Sequence, residues 1–325
     1  MPDMPEDALF SLVAGEGDGF LLGMAAGDAA GASSSHGYSS VTEQATLVSY
    51  HLINNDPIRV GALVDEMLDL DGGNGGEPVY RGETPSFRRW LDGATGGNPT
   101  PVDIYNFDGV ARSAPIGVRH RTEPEALIEA TLAVAAVFDR DARSIAASVV
   151  AATAVAASCF AQSGRDLLNA VGDAIDTVVS AVSEGVEGVI HPETLPGMAE
   201  KVKRLPSGSG LREAREALAF VCPDGDPGPM DQVLASLLLA APVDTVRHRA
   251  LEQSARLGGS VTAAFAGALV GARHGIRAWP WPFPNDTWFA EIGRRLVRGP
   301  RETQDLPIPY AVEQHLMTGA RPGFH

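Results

Sequence analysis

The chain has 325 residues, of which 44% are hydrophobic and 20% charged, and its formal net charge is −16. That balance is typical of a globular protein and excludes a mainly disordered chain. So acidic a surface repels phosphate backbones, and we therefore expect no nucleic-acid partner. A small anionic ligand is still compatible with this charge, because helix N-termini bind phosphate locally.

The cysteines and the amino-terminal segment bear on where the protein resides. Only Cys159 and Cys222 occur, and their apolar helical surroundings predict two buried thiols in a reducing compartment. The first ten residues, MPDMPEDALF, are acidic and lack the basic start of a secretion signal. No stretch is long and apolar enough to cross a bilayer. We expect a cytoplasmic protein without a membrane partner.

Apolar residues recur with helical spacing over most of the chain. The spacing predicts helices over residues 17–31, 43–54, 58–69, 123–138, 142–161, 165–184, 211–222, 229–241, 244–256, 261–275 and 286–298. No segment alternates apolar and polar residues as a strand does, so we predict an all-α, compact multi-helix fold. Two irregular stretches remain, 71–108 and 188–210, and a loop as long as the first is usually functional or mobile. Neither divides the chain, and we expect one domain over residues 1–325.

Two of these helices carry glycine at every fourth position. The residues are Gly15, Gly19, Gly23, Gly27 and Gly31 in the first helix, and Gly267, Gly271 and Gly275 near the end of the chain. Glycine inside a helix costs about 1 kcal/mol relative to alanine, so a repeated stripe needs a compensating contact. The pattern predicts two central helices whose backbones lie in close contact.

Four segments, in order, resemble the motifs of one known family. They are GDGFLLGMAAGDAAGA at residues 17–32, DGVARSAPIG at 108–117, SGSGLREAREALAFV at 207–221 and GSVTAAFAGALVGARHGIRAWP at 259–280. Their order and spacing are similar to those of the ADP-ribosylglycohydrolases, and the resemblance covers almost the whole chain. It implies a compact all-α bundle.

The resemblance also implies an activity and a metal centre. Enzymes of that family hold two magnesium ions in a central cleft and cleave the glycosidic bond between ADP-ribose and a protein side chain or small acceptor. An early T-D-D-T element and a late D-T-D-T element supply the ligands. Magnesium requires hard oxygen atoms in octahedral geometry, so several carboxylates must converge, and the metal then activates water.

This sequence departs from the family at those two elements. The early element aligns with Thr42, Glu43, Gln44 and Ala45, and the late one with Gly258, Gly259, Ser260 and Val261. One carboxylate remains in the first and none in the second, and no acid occurs between Arg256 and His274. We therefore predict no binuclear magnesium site and no cofactor.

Candidate site residues follow from the resemblance and from local chemistry. As acid or base we consider Asp28, His36, Glu43 and Asp108, and as ligand contacts Ser35, Thr42, Gln44, Arg112, Ser209, Gly210 and Ser260. Several have a plainer alternative. Asp28 can cap a neighbouring helix instead, and Glu43 can interact favourably with the dipole at the start of its own helix. The turn at Ser209 and Gly210 can bind phosphate or be an ordinary N-cap.

Two functions remain open from the sequence. In the first, the chain keeps a cleft that binds ADP-ribose, a related nucleotide or a ribosylated ligand, without magnesium-dependent hydrolysis. In the second, carboxylates alone cleave a nucleoside-like or NAD-derived metabolite, because an oxocarbenium-forming sugar needs only an acid and a base. The oligomeric state, including a possible oligomer, also stays open.

Overall fold

The computed structural model describes residues 6–31, 38–55, 57–73, 80, 83–95, 99–103, 106–161, 163–205, 228–241, 247–276, 279 and 286–298. Within these ranges the regular elements are helical, with isolated bridges only at Val102–Asp139 and Asp141–Ile190. The predicted all-α fold is confirmed. Among the described residues, no helix is long and apolar enough to cross a membrane.

The helices follow one another in this order: α1 (Glu6–Gly31), α2 (Ser40–Asn54), α3 (Val60–Leu68, continued by a π turn at Asp69–Gly73), α4 (Pro85–Thr95), α5 (Asp108–Arg119), α6 (Pro124–Phe138), α7 (Ala142–Ser158), α8 (Gly164–Gly185), a 3-10 turn (Pro192–Thr194), α9 (Leu195–Lys203), α10 (Pro229–Ala240), α11 (Arg247–His274) and α12 (Asp286–Arg298). The sequence-based bounds agree closely for α2, α3, α6, α7, α8, α10 and α12. The helix predicted over 211–222 lies outside the described residues.

The expectation of irregular structure at 71–108 and 188–210 was wrong in part. The first stretch contains α4 and the start of α5, and the second contains α9. Helix α4 buries Phe87, Trp90, Leu91 and Ala94, which recur at helical spacing but stand between glycine-rich segments. The helices predicted over 244–256 and 261–275 correspond to the two parts of α11, which are separated by a break in the backbone at Gly258 and Gly259.

The glycine stripes form the contact between α1 and α11. A Cβ atom built on Gly23 would lie 2.2 Å from the carbonyl oxygen of Gly267, and one on Gly19 would lie 2.4 Å from that of Gly271. Further along, a Cβ on Gly27 would lie 2.0 Å from the oxygen of Ala263. Residue numbers rise along α1 as they fall along α11, so the two helices are antiparallel. The predicted backbone contact is confirmed.

Helix α7 lies in the interior, and α5 packs along it. Fourteen residues of α7 are buried, and most of them are Ala, Val or Ser. Small side chains let α5 approach: a Cβ on Gly117 would lie 2.3 Å from the carbonyl oxygen of Ala152. Helix α5 also packs against α2, and the two helices meet where Arg112 contacts Gln44, two of the candidate site residues.

Candidate functional site

The buried carboxylate of Asp28, near the end of α1, binds the first turn of α2. Its Oδ2 atom accepts hydrogen bonds from the backbone N–H of Ser39 (2.8 Å) and the hydroxyl of Thr42 (2.8 Å), and a longer one from the backbone N–H of Thr42 (3.3 Å). Its Oδ1 atom accepts from the Ser39 hydroxyl at 2.9 Å. The first N–H groups of a helix lack the usual partner four residues earlier; Asp28 accepts from that of Ser39 and shares that of Thr42 with the Ser39 carbonyl. The structure therefore gives Asp28 and Thr42 a helix-capping arrangement.

Burial raises the pKa of Asp28, and the hydrogen bonds from Ser39 and Thr42 oppose that rise. The carboxylate is fully enclosed, with 0% of the residue exposed. Both of its oxygen atoms already accept hydrogen bonds, Oδ1 from Ser39 and Oδ2 from Ser39 and Thr42. A role as general base would require these bonds to break first.

Replacing Asp28 with alanine should lower the free energy of unfolding by about 2–3 kcal/mol, because the buried backbone N–H of Ser39 and the hydroxyls of Ser39 and Thr42 would lose their acceptor. Urea denaturation measures this loss. Asp166 is the matched control, since it caps α8 through Ser163 in an exposed position. Asp166→Ala should cost about 0.5–1 kcal/mol. Equal losses in the two variants would contradict the buried cap.

Next along α2, Glu43 is buried with 6% exposed, and Gln44 is fully buried. The Gln44 side-chain oxygen accepts a hydrogen bond of 2.6 Å from Nη1 of Arg112 on α5. The guanidinium of Arg112 also lies 4.0 Å from the centre of the Phe138 ring. Arg112 and Gln44, both predicted as ligand contacts, are thus bound to each other.

Arg112 belongs to a buried polar cluster at the start of α5. Its Nη2 atom lies 3.4 Å from Oδ2 of Asp139, and Asn106 donates from its side-chain nitrogen to Oδ1 of the same carboxylate. Burial raises the pKa of Asp139 to about 6, and the charge of Arg112 opposes that rise. Burial likewise lowers the pKa of Arg112, and Asp139 opposes it.

Asp108 lies in the same cluster and opens α5. Its Oδ2 atom accepts hydrogen bonds from the hydroxyls of Thr84 (2.6 Å) and Ser86, while its buried Oδ1 atom has no hydrogen-bond partner. A narrow crevice runs along this cluster, lined by Ser86, Phe87, Trp90, Val102, Asn106, Asp108, Arg112, Phe138 and Asp139. Trp90 donates its ring N–H to the carbonyl of Val137 and so has a structural contact here.

The break in α11 falls at the positions aligned with the late acidic element. Gly258 has φ −141° and ψ 19°, and Gly259 has φ 73° and ψ −159°, a conformation that essentially only glycine adopts. The Thr262 hydroxyl donates to the carbonyl of Gly258 at 3.1 Å across the break. A Cβ on Gly31 would lie 2.5 Å from Cα of Ser260, so the break adjoins the end of α1.

The structure brings together some of the predicted site residues. Asp28 and Thr42 meet at the head of α2, Ser260 lies against the end of α1, and Gln44 meets Arg112 one step further along α2. Predicted residues that lie outside the described ranges are Ser35, His36, Ser209 and Gly210. Ser39 and Asn106 were not predicted from the sequence as site residues. A serine just before a helix signals a cap, but no local signal pairs it with Asp28 eleven residues earlier.

Taken together, the fold and this site define an all-α protein. Two antiparallel, glycine-striped helices, α1 and α11, pack at its centre, and buried polar residues lie where α1, α2, α5 and α11 meet. The sequence matches the ADP-ribosylglycohydrolase family over residues 17–305. The chain belongs to that family. No curated protein matches it.

A solved structure, that of an ADP-ribosylglycohydrolase-related protein complex, is similar in fold. The TM-score is 0.60 at 16% sequence identity, and the alignment covers 89% of this chain and 99% of that chain. At this identity the likeness concerns the fold alone. It agrees with the family match and with the predicted all-α bundle.

The residues that the resemblance aligns with the two acidic elements offer few oxygen donors. Among the eight aligned residues, Glu43 has the single carboxylate. The oxygen atoms of Thr42 and Gln44 are already engaged, by Asp28 and Arg112 respectively. Within the described part of the chain, no group of three or more His, Cys, Asp or Glu side chains is placed to hold a metal ion.

Proposed function

We propose that this member of the family binds ADP-ribose, or a related nucleotide or ribosylated ligand, in a central cleft of the kind that the resemblance implies, without a binuclear magnesium site. The observation that carries the proposal is found at the start of α2, where a neutral side chain bonded to a buried cation stands at an acidic position of the family's motif. The second acidic position of the early element is the neutral Gln44, and its side-chain oxygen accepts a hydrogen bond from the buried guanidinium of Arg112. Two magnesium ions need several hard anionic ligands, and Glu43 is one carboxylate.

The break in α11 supports the same proposal. A side chain at Gly258 would place its Cβ 2.0 Å from the Thr262 hydroxyl, and Gly259 has a backbone conformation that other residues rarely adopt. Ser260, between the break and Val261, offers a neutral oxygen. The two positions where the resemblance implies acidic ligands are therefore Gly258, within the glycine break, and Ser260, which has a neutral hydroxyl.

Thermal unfolding with added ADP-ribose tests the proposal. A ligand at a hundred times its dissociation constant stabilises the folded state by about 2.7 kcal/mol, so the melting temperature should rise, and equally in EDTA and in magnesium chloride. Glu43→Gln should reduce the rise, whereas the exposed control Asp166→Ala should keep it. A rise seen only with magnesium, or magnesium-stimulated release of ADP-ribose from a modified arginine or serine peptide, would overturn the proposal.

One observation favours metal-independent hydrolysis of a nucleoside-like or NAD-derived metabolite as a second candidate. Asp108 keeps one buried carboxylate oxygen without a hydrogen bond, and Glu43 remains in the early element. Two carboxyl groups suffice for glycosidic cleavage. Release of the base from NAD or nucleosides in EDTA, lost in Glu43→Gln and in Asp108→Asn, would establish this function. No release in EDTA would exclude it.

A further inference from the structure

We propose that Gln44 and Arg112 are positioning residues that hold Glu43 at the head of α2, and that neither touches the ligand. The inference rests on the proposed function for its binding measurement only. It changes the role expected for both residues, which the sequence suggested as ligand contacts. The juxtaposition that carries it is this: Thr42 and Gln44, the residues on either side of Glu43, are each hydrogen-bonded to a different helix.

On one side of Glu43, Thr42 is bound to α1. Its hydroxyl and its backbone N–H both donate to Oδ2 of Asp28, at 2.8 Å and 3.3 Å. On the other side, Gln44 is bound to α5 through the 2.6 Å hydrogen bond from Arg112. The backbone of Glu43 is therefore fixed from two directions by groups that are themselves buried.

Arg112 is suited to hold Gln44 and poorly placed to reach a ligand. Only 2% of the residue is exposed. Its guanidinium lies over the Phe138 ring and 3.4 Å from Asp139, which Asn106 holds in turn. A side chain fixed on three sides keeps one orientation, and a site residue supported in this way keeps its geometry without reorganising on binding.

The hydrogen bond is one that a conservative substitution can preserve. Gln44→Glu keeps an oxygen acceptor of the same length and adds a charge that Arg112 complements. Gln44→Met keeps the length and removes the acceptor. The pair of variants therefore separates loss of the bond from change of shape.

The experiment measures two quantities in wild type, Gln44→Met and Gln44→Glu. The first is hydrogen exchange of the backbone amides at residues 42–45, and the second is the affinity for ADP-ribose by calorimetry. We expect Gln44→Met to exchange about tenfold faster and bind about tenfold more weakly, with Gln44→Glu within about threefold of wild type in both. Val178→Ala, a core variant in α8, controls for general loss of stability and should leave the exchange pattern at 42–45 unchanged.

A double-mutant cycle separates positioning from direct contact. In a Glu43→Gln background, Gln44→Met should weaken ADP-ribose binding by less than about twofold, because the group that it positions is already gone. Full additivity of the two losses would overturn the proposal. So would unchanged exchange in Gln44→Met, or equal acceleration in Gln44→Met and Gln44→Glu. If wild type binds no ADP-ribose, the proposed function fails, and the exchange measurement alone still decides the positioning role.

Discussion

A Gly23→Ala variant is expected to be less stable than wild type by about 2–3 kcal/mol, since its new methyl group has no space. The Cβ atom would lie 2.2 Å from the backbone oxygen of Gly267, and backbone cannot swing aside as a side chain can. The helices α1 and α11 would have to separate along their whole contact. Denaturant unfolding gives the change in the free energy of unfolding.

Gly172→Ala is the control for this prediction. Gly172 lies inside α8, and a Cβ there would meet nothing within 4 Å. Alanine should therefore stabilise the protein by about 0.5–1 kcal/mol, because it has the higher helix propensity. The effect of a glycine-to-alanine substitution on the free energy of unfolding thus changes sign with its surroundings. If Gly23→Ala were as stable as wild type, the glycine contact between α1 and α11 would be refuted.

Arg112→Met is expected to cost about 3–5 kcal/mol at pH 7, because it removes the positive partner of a buried carboxylate. Burial raises the pKa of Asp139 from its usual 3.8 to about 6. The protonated carboxyl therefore favours the folded state fully below about pH 4, and that contribution is lost as the pH rises through 6. Without Arg112 the carboxyl of Asp139 holds its proton more tightly still.

The loss in Arg112→Met should consequently depend on pH. At pH 5 Asp139 is protonated in both proteins, and the destabilisation should be smaller than at pH 7 by about 1–2 kcal/mol. Unfolding curves at the two pH values measure the difference. In an Asp139→Asn background, Arg112→Met should show the same loss at both values. A pH-independent loss in the variant with Asp139 intact would count against the pairing.

Different parts of the fold were predictable to different degrees. The contact between the glycine-striped helices could be predicted from the sequence, because glycine at every fourth position of a helix commonly marks a close contact with another helix. Helix α5 could not, since Pro115 lies inside it and proline costs about 3 kcal/mol in a helix interior. The structure buries every residue of α5 from Asp108 to Val118. Tertiary burial outweighs the local preference, and that burial is invisible along the chain.

The candidate site shows the same division. The absence of acids at residues 258–261 and the presence of Glu43 are facts of the sequence, and they set the chemistry that the proposal starts from. The hydrogen bonds between Asp28 and Ser39 and between Gln44 and Arg112 join residues that are not neighbours in the chain. Only the packing of α1, α2 and α5 brings these groups within hydrogen-bonding distance.

By itself, then, the sequence determined the helical class, the close contact of two glycine-rich helices and the absence of acidic residues at positions 258–261. Those features depend on residue type and spacing, which are local. Only the tertiary structure decided that Asp28 caps α2 and that Arg112 binds Gln44 and Asp139. A buried charge must find its partner wherever the fold places one, because leaving it unpaired costs several kcal/mol.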